Sequence, residues 1–397
     1  MAMPEPTGET PGSPLPLDGI RVIDLTTSYA GPTAAMLLAD MGADVIKVET
    51  PRGDDTRAWG PPFLEGESTW FLSVNRNKRS ICLDLHLEAD RATLFSLLET
   101  ANALLVSVNP AKLARLGLDP DDIAERFPGL IFCTLSGFGL DGPHAALPGY
   151  DLIAQARSGM MSVTGPSADS PQRMSTAVTD VVAGLVAAFS VAAALVRQRS
   201  SGTGEVIDVS LLESALLLMA PRMASFLAGG DEPEPCNATD SVLTPYQAFA
   251  TADRKIVVAA GNDAMWRRLC TAIGGTELLT DRRFATTAGR QAARDEIAEA
   301  LSELLRHGSA DEWLERLAAN GVPAAMVQSA SEVVKDPQLI ARGALVEQDH
   351  PVAGPHTVVG APWRLRSNPN RAPRRAAPML GEHTEEVLKS ISPETPA

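Results

Sequence analysis

Short apolar, β-branched runs recur through roughly the first 140 residues, at 20–25 (IRVIDL), 44–49 (DVIKVE), 80–85 (SICLDL), 103–108 (ALLVSV) and 130–135 (LIFCTL). Between them lie stretches with helical spacing, at 33–41, 89–100 and 120–127. Continuous apolar strands alternating with helices predict βαβ units and a parallel sheet covered on both faces. The natural product is a doubly wound, Rossmann-like α/β domain. The turn after the first strand reads Thr26-Thr27-Ser28-Tyr29-Ala30-Gly31-Pro32, without GxGxxG. An ordinary nicotinamide or flavin site is therefore excluded.

From Tyr150 the pattern turns helical, at 151–158 and 180–199, and then gives a strand at 205–209 and a helix at 211–227. A Gly, Pro and acid-rich stretch at 228–235 reads as a linker. A second, smaller α/β unit follows, with a strand at 255–260 and helices at 264–273, 291–307 and 310–320. Residues 362–375 are rich in Pro and Arg and predict an extended run, and a final helix at 384–390 is too short to stand without docking. The domain expectation is a loose tail at 1–15, a large domain at 16–227, a linker at 228–240, a small domain at 241–347, and a return segment at 348–397 that rejoins the large domain.

Composition narrows the partners. Lys+Arg total 34 against 49 Asp+Glu, a net charge of −15, which disfavours nucleic acid and anionic membranes. The uncharged run at 181–196 is shorter than the ~20 residues of a spanning helix, and its Ala and Gly content suits close packing. The expectation is a soluble protein. Four scattered cysteines without a CxxC pair predict reduced thiols in a cytoplasmic setting, and the six histidines show no metal-ligand spacing. The tail 1–15 has neither the basic start nor the apolar core of a signal peptide.

The segment most suggestive of chemistry is PGYDLIAQA, where Asp151 opens a helix just after Pro148-Gly149. On spacing alone an N-cap reading of Asp151 fits best. Eleven pieces in order change that weighting. They are PLDGIRVIDLT (16–26), AGP (30–32), LLADMGADVIKVE (37–49), GDDTR (53–57), NRNKRSICLDL (75–85), LARLGLD (113–119), SGFGLDGP (136–143), PGYDLIAQARSG (148–159), TDVVAG (179–184), GEVIDVSLLES (204–214) and LGEHTEEVL (380–388). Together they resemble the class III CoA-transferases, the CaiB/BaiF-type family that also includes the α-methylacyl-CoA racemases.

The resemblance implies a Rossmann-like large domain with a smaller α/β domain, an interlocked homodimer, and acyl-CoA plus a small carboxylic acid as substrates, with no tightly bound cofactor and no metal. It implies that Asp151 is the nucleophile, passing through a mixed anhydride and an aspartyl-CoA thioester. CoA contacts are implied at Thr27, Ser28, Tyr29 and Ala30, at Arg76, Lys78 and Arg79, and at Arg115. The racemase branch carries a His directly before this Asp; here Tyr150 stands there, and a phenol with a pKa of about 10 is a poor base. Transferase is therefore favoured over racemase, with a non-catalytic CoA-binding homologue as the remaining alternative. Asp180 matches a second racemase-branch Asp that transferases also often carry.

Departures accompany the match. The Asn-aromatic stretch expected before LARLG is Ser107-Val108-Asn109-Pro110-Ala111-Lys112 here, leaving Lys112 as a partial substitute. The Gly-rich loop of formyl-CoA transferases has no counterpart near Ala259-Ala260-Gly261-Asn262, so neither oxalate nor formyl-CoA is assigned. His383 is expected to cap or pack, and Trp70 and Phe71 to fill core. Tyr150 suits a pocket wall or the core equally.

Overall fold

The computed structural model describes residues 14–236, 239–369 and 373–391. The expected tail at 1–15 lies almost wholly outside this range, as does the end of the return segment. Within it the chain divides into two compact units, the first made of residues up to 161, 173–231 and 337 onward, the second of 162–172 and 232–336.

Six parallel strands build the first unit: β1 (Arg21–Leu25), β2 (Asp44–Glu49), β3 (Lys78–Cys82), β4 (Ala103–Val106), β5 (Ile131–Ser136) and β6 (Glu205–Ser210). Their spatial order is β3-β2-β1-β4-β5-β6, the doubly wound order in which the sheet reverses direction between β1 and β4. Ile23 pairs with Ile46 on one side and Leu104 on the other, and all three are fully buried. The continuous apolar runs follow from that two-sided burial.

Helix α1 (Ala30–Asp40) leaves β1 and packs along α7 (Val178–Ser201). By length and composition alone α7 is apolar enough to cross a membrane. Its buried face, Ala183, Gly184, Ala187, Ala188 and Val191, lies in the core. A Cβ on Gly184 would come within 2.7 Å of the Ala30 carbonyl oxygen, so only glycine permits this approach of the two helices.

The predicted helix 211–227 is two: α8 (Leu211–Leu218) and α9 (Ala220–Leu227). Pro221 lacks an amide hydrogen and suits the first turn of a new helix. The last helix, Thr384–Ile391, docks against edge strand β3. There Ser80 carbonyl oxygen accepts from the His383 amide at 2.8 Å, and the Cys82 amide donates to Thr384 Oγ1 at 3.2 Å. His383 thus covers a sheet edge that would otherwise stay open.

The second unit is a three-stranded antiparallel sheet, Ala324–Met326, Lys255–Ala259 and Tyr246–Ala250, packed by helices Asp263–Ile273, Arg294–Leu305 and Ala310–Ala319. Trp266, Leu269, Ile297, Leu301 and Leu317 form its core around Ile256 and Val258. This unit ends at Asp336, ahead of the expected Glu347, and takes in 162–172 as well. The reason is the hairpin Leu345–His350 with Gly354–Val359, which belongs to the first unit.

Candidate functional site

A cavity of about 310 Å³ opens at the carboxyl ends of β1, β4 and β5, where the strand order reverses. Such crevices are where open α/β sheets take ligands. Thr27, Ser28, Tyr29 and Ala30 all line it, as the sequence predicted, facing Ser107, Lys112, Tyr150 and Asp180.

The β1–α1 loop is held from beneath by buried charge. Lys47 Nζ donates to the Thr26 carbonyl and to Asp54 Oδ2, both at 2.9 Å. Asp54 Oδ1 in turn accepts the Ser28 amide at 3.1 Å, fixing Ser28 in a left-handed conformation (φ +69°) that a serine rarely adopts. The Thr27 amide donates to Ser107 Oγ at 2.8 Å, tying the two strands of the switch point together.

The basic cluster in NRNKRS does not reach this cavity, which corrects its expected role in CoA contact. Lys78 is fully buried and donates to Asp24, to the Pro32 carbonyl and to Asn75 at 2.8–2.9 Å. Burial pushes its ammonium down to about 8, against the pull of Asp24. Arg76 makes a two-pronged pair with Asp40 and reaches the Val359 carbonyl. Arg79 pairs with Asp44 and Glu386. All three cations are consumed inside the unit. Arg115 lies exposed on α4 (Pro110–Leu116) and is not part of the cavity wall. Lys112, one turn earlier, is the single cationic side chain among the described residues that line the cavity.

Asp151 opens α6 (Asp151–Arg157) yet does not cap it, since the N-cap position is Tyr150. Its carboxylate is gripped from three sides. Oδ1 accepts the Thr179 amide at 2.9 Å and Thr179 Oγ1 at 2.6 Å, and Oδ2 accepts Gln155 Nε2 at 2.7 Å. The turn carrying it is fixed by backbone contact. A Cβ on Gly149 would lie 2.4 Å from Gly137 Cα, and one on Gly137 would lie 2.6 Å from Gly149 Cα. Two bare backbones thus touch where the segment before α6 crosses the end of β5. Thr179 and Gln155 were not singled out in the sequence. Thr179 stands in the TDVVAG piece, but nothing in that piece tells a ligand-holding Thr from a helix-start Thr.

Tyr150 is 59% exposed and lines the cavity, which settles it as wall over core. Phe71 is core, whereas Trp70 is 42% exposed, set edge-on to Tyr29 and Trp59 at the rim. Asp180 follows Thr179 at the start of α7 and faces the same cavity. Burial, helped by the Asp151 charge, pushes its carboxyl up to about 7. The described residues contain no His/Cys/Asp/Glu group able to hold a metal ion.

A sheet of this order, with a gripped carboxylate at its switch point, belongs to a known class: the chain is a member of CoA-transferase family III, whose family model matches residues 17–384. It is 38% identical over 391 residues to the succinate–glutarate CoA-transferase of Agrobacterium fabrum, covering 96% of this chain and 97% of that protein. It is 37% identical over 377 residues to the human succinyl-CoA:glutarate CoA-transferase, covering 95% and 86% respectively. Among solved structures, a CAIB/BAIF family protein from Brucella suis superposes with a TM-score of 0.83 at 33% identity, covering 96% of this chain and all (100%) of that one.

Proposed function

We propose that this chain transfers CoA from an acyl-CoA to a carboxylic acid, with Asp151 as the covalent nucleophile and a short dicarboxylic acid as acceptor. The observation that carries the reading is a carboxylate held by three donors on a turn packed backbone to backbone, at the mouth of a switch-point cavity. The names of the relatives support CoA transfer and the dicarboxylate class.

A carboxylate is ionised at neutral pH and attacks without a separate base. Attack on the thioester carbonyl expels CoA thiolate and leaves an acyl-aspartyl anhydride. The thiolate then attacks the Asp151 carbonyl, releases the donor acid and leaves an aspartyl-CoA thioester. The acceptor carboxylate runs the same two steps in reverse. Each step exchanges one bond to an acyl carbon for another, and no net proton is taken up. Holding thiolate and acid beside Asp151 supplies on the order of 7–11 kcal/mol of the barrier. Amides of the Thr27–Ala30 turn and Lys112 suit the anionic parts of CoA.

We also infer a homodimer, interlocked as the family resemblance implies. The solvent side of α7 exposes Phe189 at 75% and Val196 at 73%, an apolar face suited to a second copy. A cytoplasmic home fits Cys82, Cys133 and Cys270, which form no disulfide.

The test incubates the protein with succinyl-CoA, traps with hydroxylamine or borohydride, and maps the modified peptide. Label on Asp151, absent in Asp151→Ala, is the expected result. An unlabelled Asp151 together with deuterium entering the acyl α-carbon from heavy water would overturn the reading in favour of racemisation.

A further inference from the structure

The cavity contains a carboxyl group that the transfer steps do not use. Asp180 faces it, one residue after the Thr179 that grips Asp151. Among the described residues, no hydrogen bond or ion pair engages its side chain. The other ionisable groups on this wall are Tyr29 from the β1–α1 loop, Asp55, Lys112 and Tyr150, with Asp151 behind them on α6.

An acceptor acid must bring its own carboxylate into this space. If Asp180 were ionised, it would repel that carboxylate at short range, and the single lining cation, Lys112, stands on another element, α4. If Asp180 carries its proton, the same group becomes a hydrogen-bond donor to an anion, the strong O–H···O⁻ type. Nothing else in its surroundings competes for that donor.

We propose that Asp180 is a catalytic residue that binds the acceptor acid, its carboxyl O–H donating to one oxygen of the acceptor carboxylate while the other oxygen attacks. The inference rests on the transferase reading above. The departing donor acid occupies the same slot in the first half of the cycle, so the contact serves both directions. Asp180 keeps its proton throughout; no bond to it forms or breaks.

Its protonation near neutrality is consistent, since burial and the Asp151 charge both hold the carboxyl up to about 7. The sign follows directly. The protonated form is the active one, so transfer weakens as pH rises through the Asp180 pKa. Burial, the larger cause, persists when Asp151 is acylated, whereas the Asp151 charge does not. The alkaline limb for the acceptor therefore falls at or below about pH 7.

The experiment measures CoA transfer from succinyl-CoA to glutarate between about pH 5 and 9, for wild type, Asp180→Asn and Asp180→Ala. Thermal melts of each variant establish folding, and Asp151 labelling is scored in parallel. Wild-type kcat/KM for glutarate should fall about tenfold per pH unit on the alkaline side. Asp180→Asn keeps a neutral donor and should lose that limb while staying within about tenfold of wild type at its optimum. Asp180→Ala should raise KM for glutarate about 10- to 100-fold. An unchanged alkaline limb in folded Asp180→Asn, or an unchanged glutarate KM in folded Asp180→Ala, would overturn the assignment. Failure of wild type to label Asp151 would instead sink the transferase reading on which it depends.

Discussion

Three donors converge on the Asp151 carboxylate, and two of them come from one residue, Thr179. They fix the carboxylate rotamer so that it meets the acyl carbonyl already oriented. Thr179→Val keeps the amide donor and removes the hydroxyl one. A hydrogen bond to a charged group contributes about 1.5–3 kcal/mol, so kcat should fall about 10- to 100-fold with little change in the KM for acyl-CoA. Steady-state kinetics with both substrates varied would show it; an unaffected kcat would mean that Gln155 and the Thr179 amide suffice. At this scale the sequence was legible for Asp151 and the Thr27–Ala30 turn and misleading for Arg76, Lys78 and Arg79. Their partners Asp24, Asp40 and Asp44 lie far upstream. A basic hexapeptide shows where cations are, not which carboxylates will consume them.

At the scale of elements, the parallel strands stood out because burial on both faces forces continuous apolar runs. Strands with one wet face did not. Tyr246–Ala250 buries only Phe249 among its five residues, too little for a periodic signal. The hairpin 345–359 reads LVEQDH and GPHTVV, polar at alternate positions and half-buried, and it passed for loop. Helix α7 showed itself as apolar, and Gly184 explains how it seats on α1. Gly184→Val would drive the helices apart at the Ala30 carbonyl, at a cost of about 1–3 kcal/mol. Because α1 begins at the loop that lines the cavity, transfer activity should drop as well. Denaturant unfolding beside an activity assay checks both; equal stability would mean that α7 shifts without strain.

For the whole molecule, the acidic surface and the apolar face of α7 make opposite demands. Net charge of −15 keeps copies apart, while exposed Phe189 and Val196 favour burial. A dimer resolves this if the face is buried and the charge stays outside. Phe189→Asp places a charge in that face and should shift the particle toward monomer in light scattering. A wild type that scatters as a monomer at all concentrations would refute the dimer. The two-unit division was readable from the Gly, Pro and acid linker. Its far boundary was not, because the hairpin that sets it carries so weak a pattern.

The glycine pair at 137 and 149 reaches beyond placing one carboxylate. Since main chain alone sets the turn, the side chain at position 150 contributes little to holding Asp151. Tyr150 points outward into the cavity with most of its surface uncovered. That separates two kinds of heredity within adjacent residues: one locked, one open to drift. A lineage, or an engineer with a randomised codon at 150, has room to change which acid is accepted without rebuilding the nucleophile.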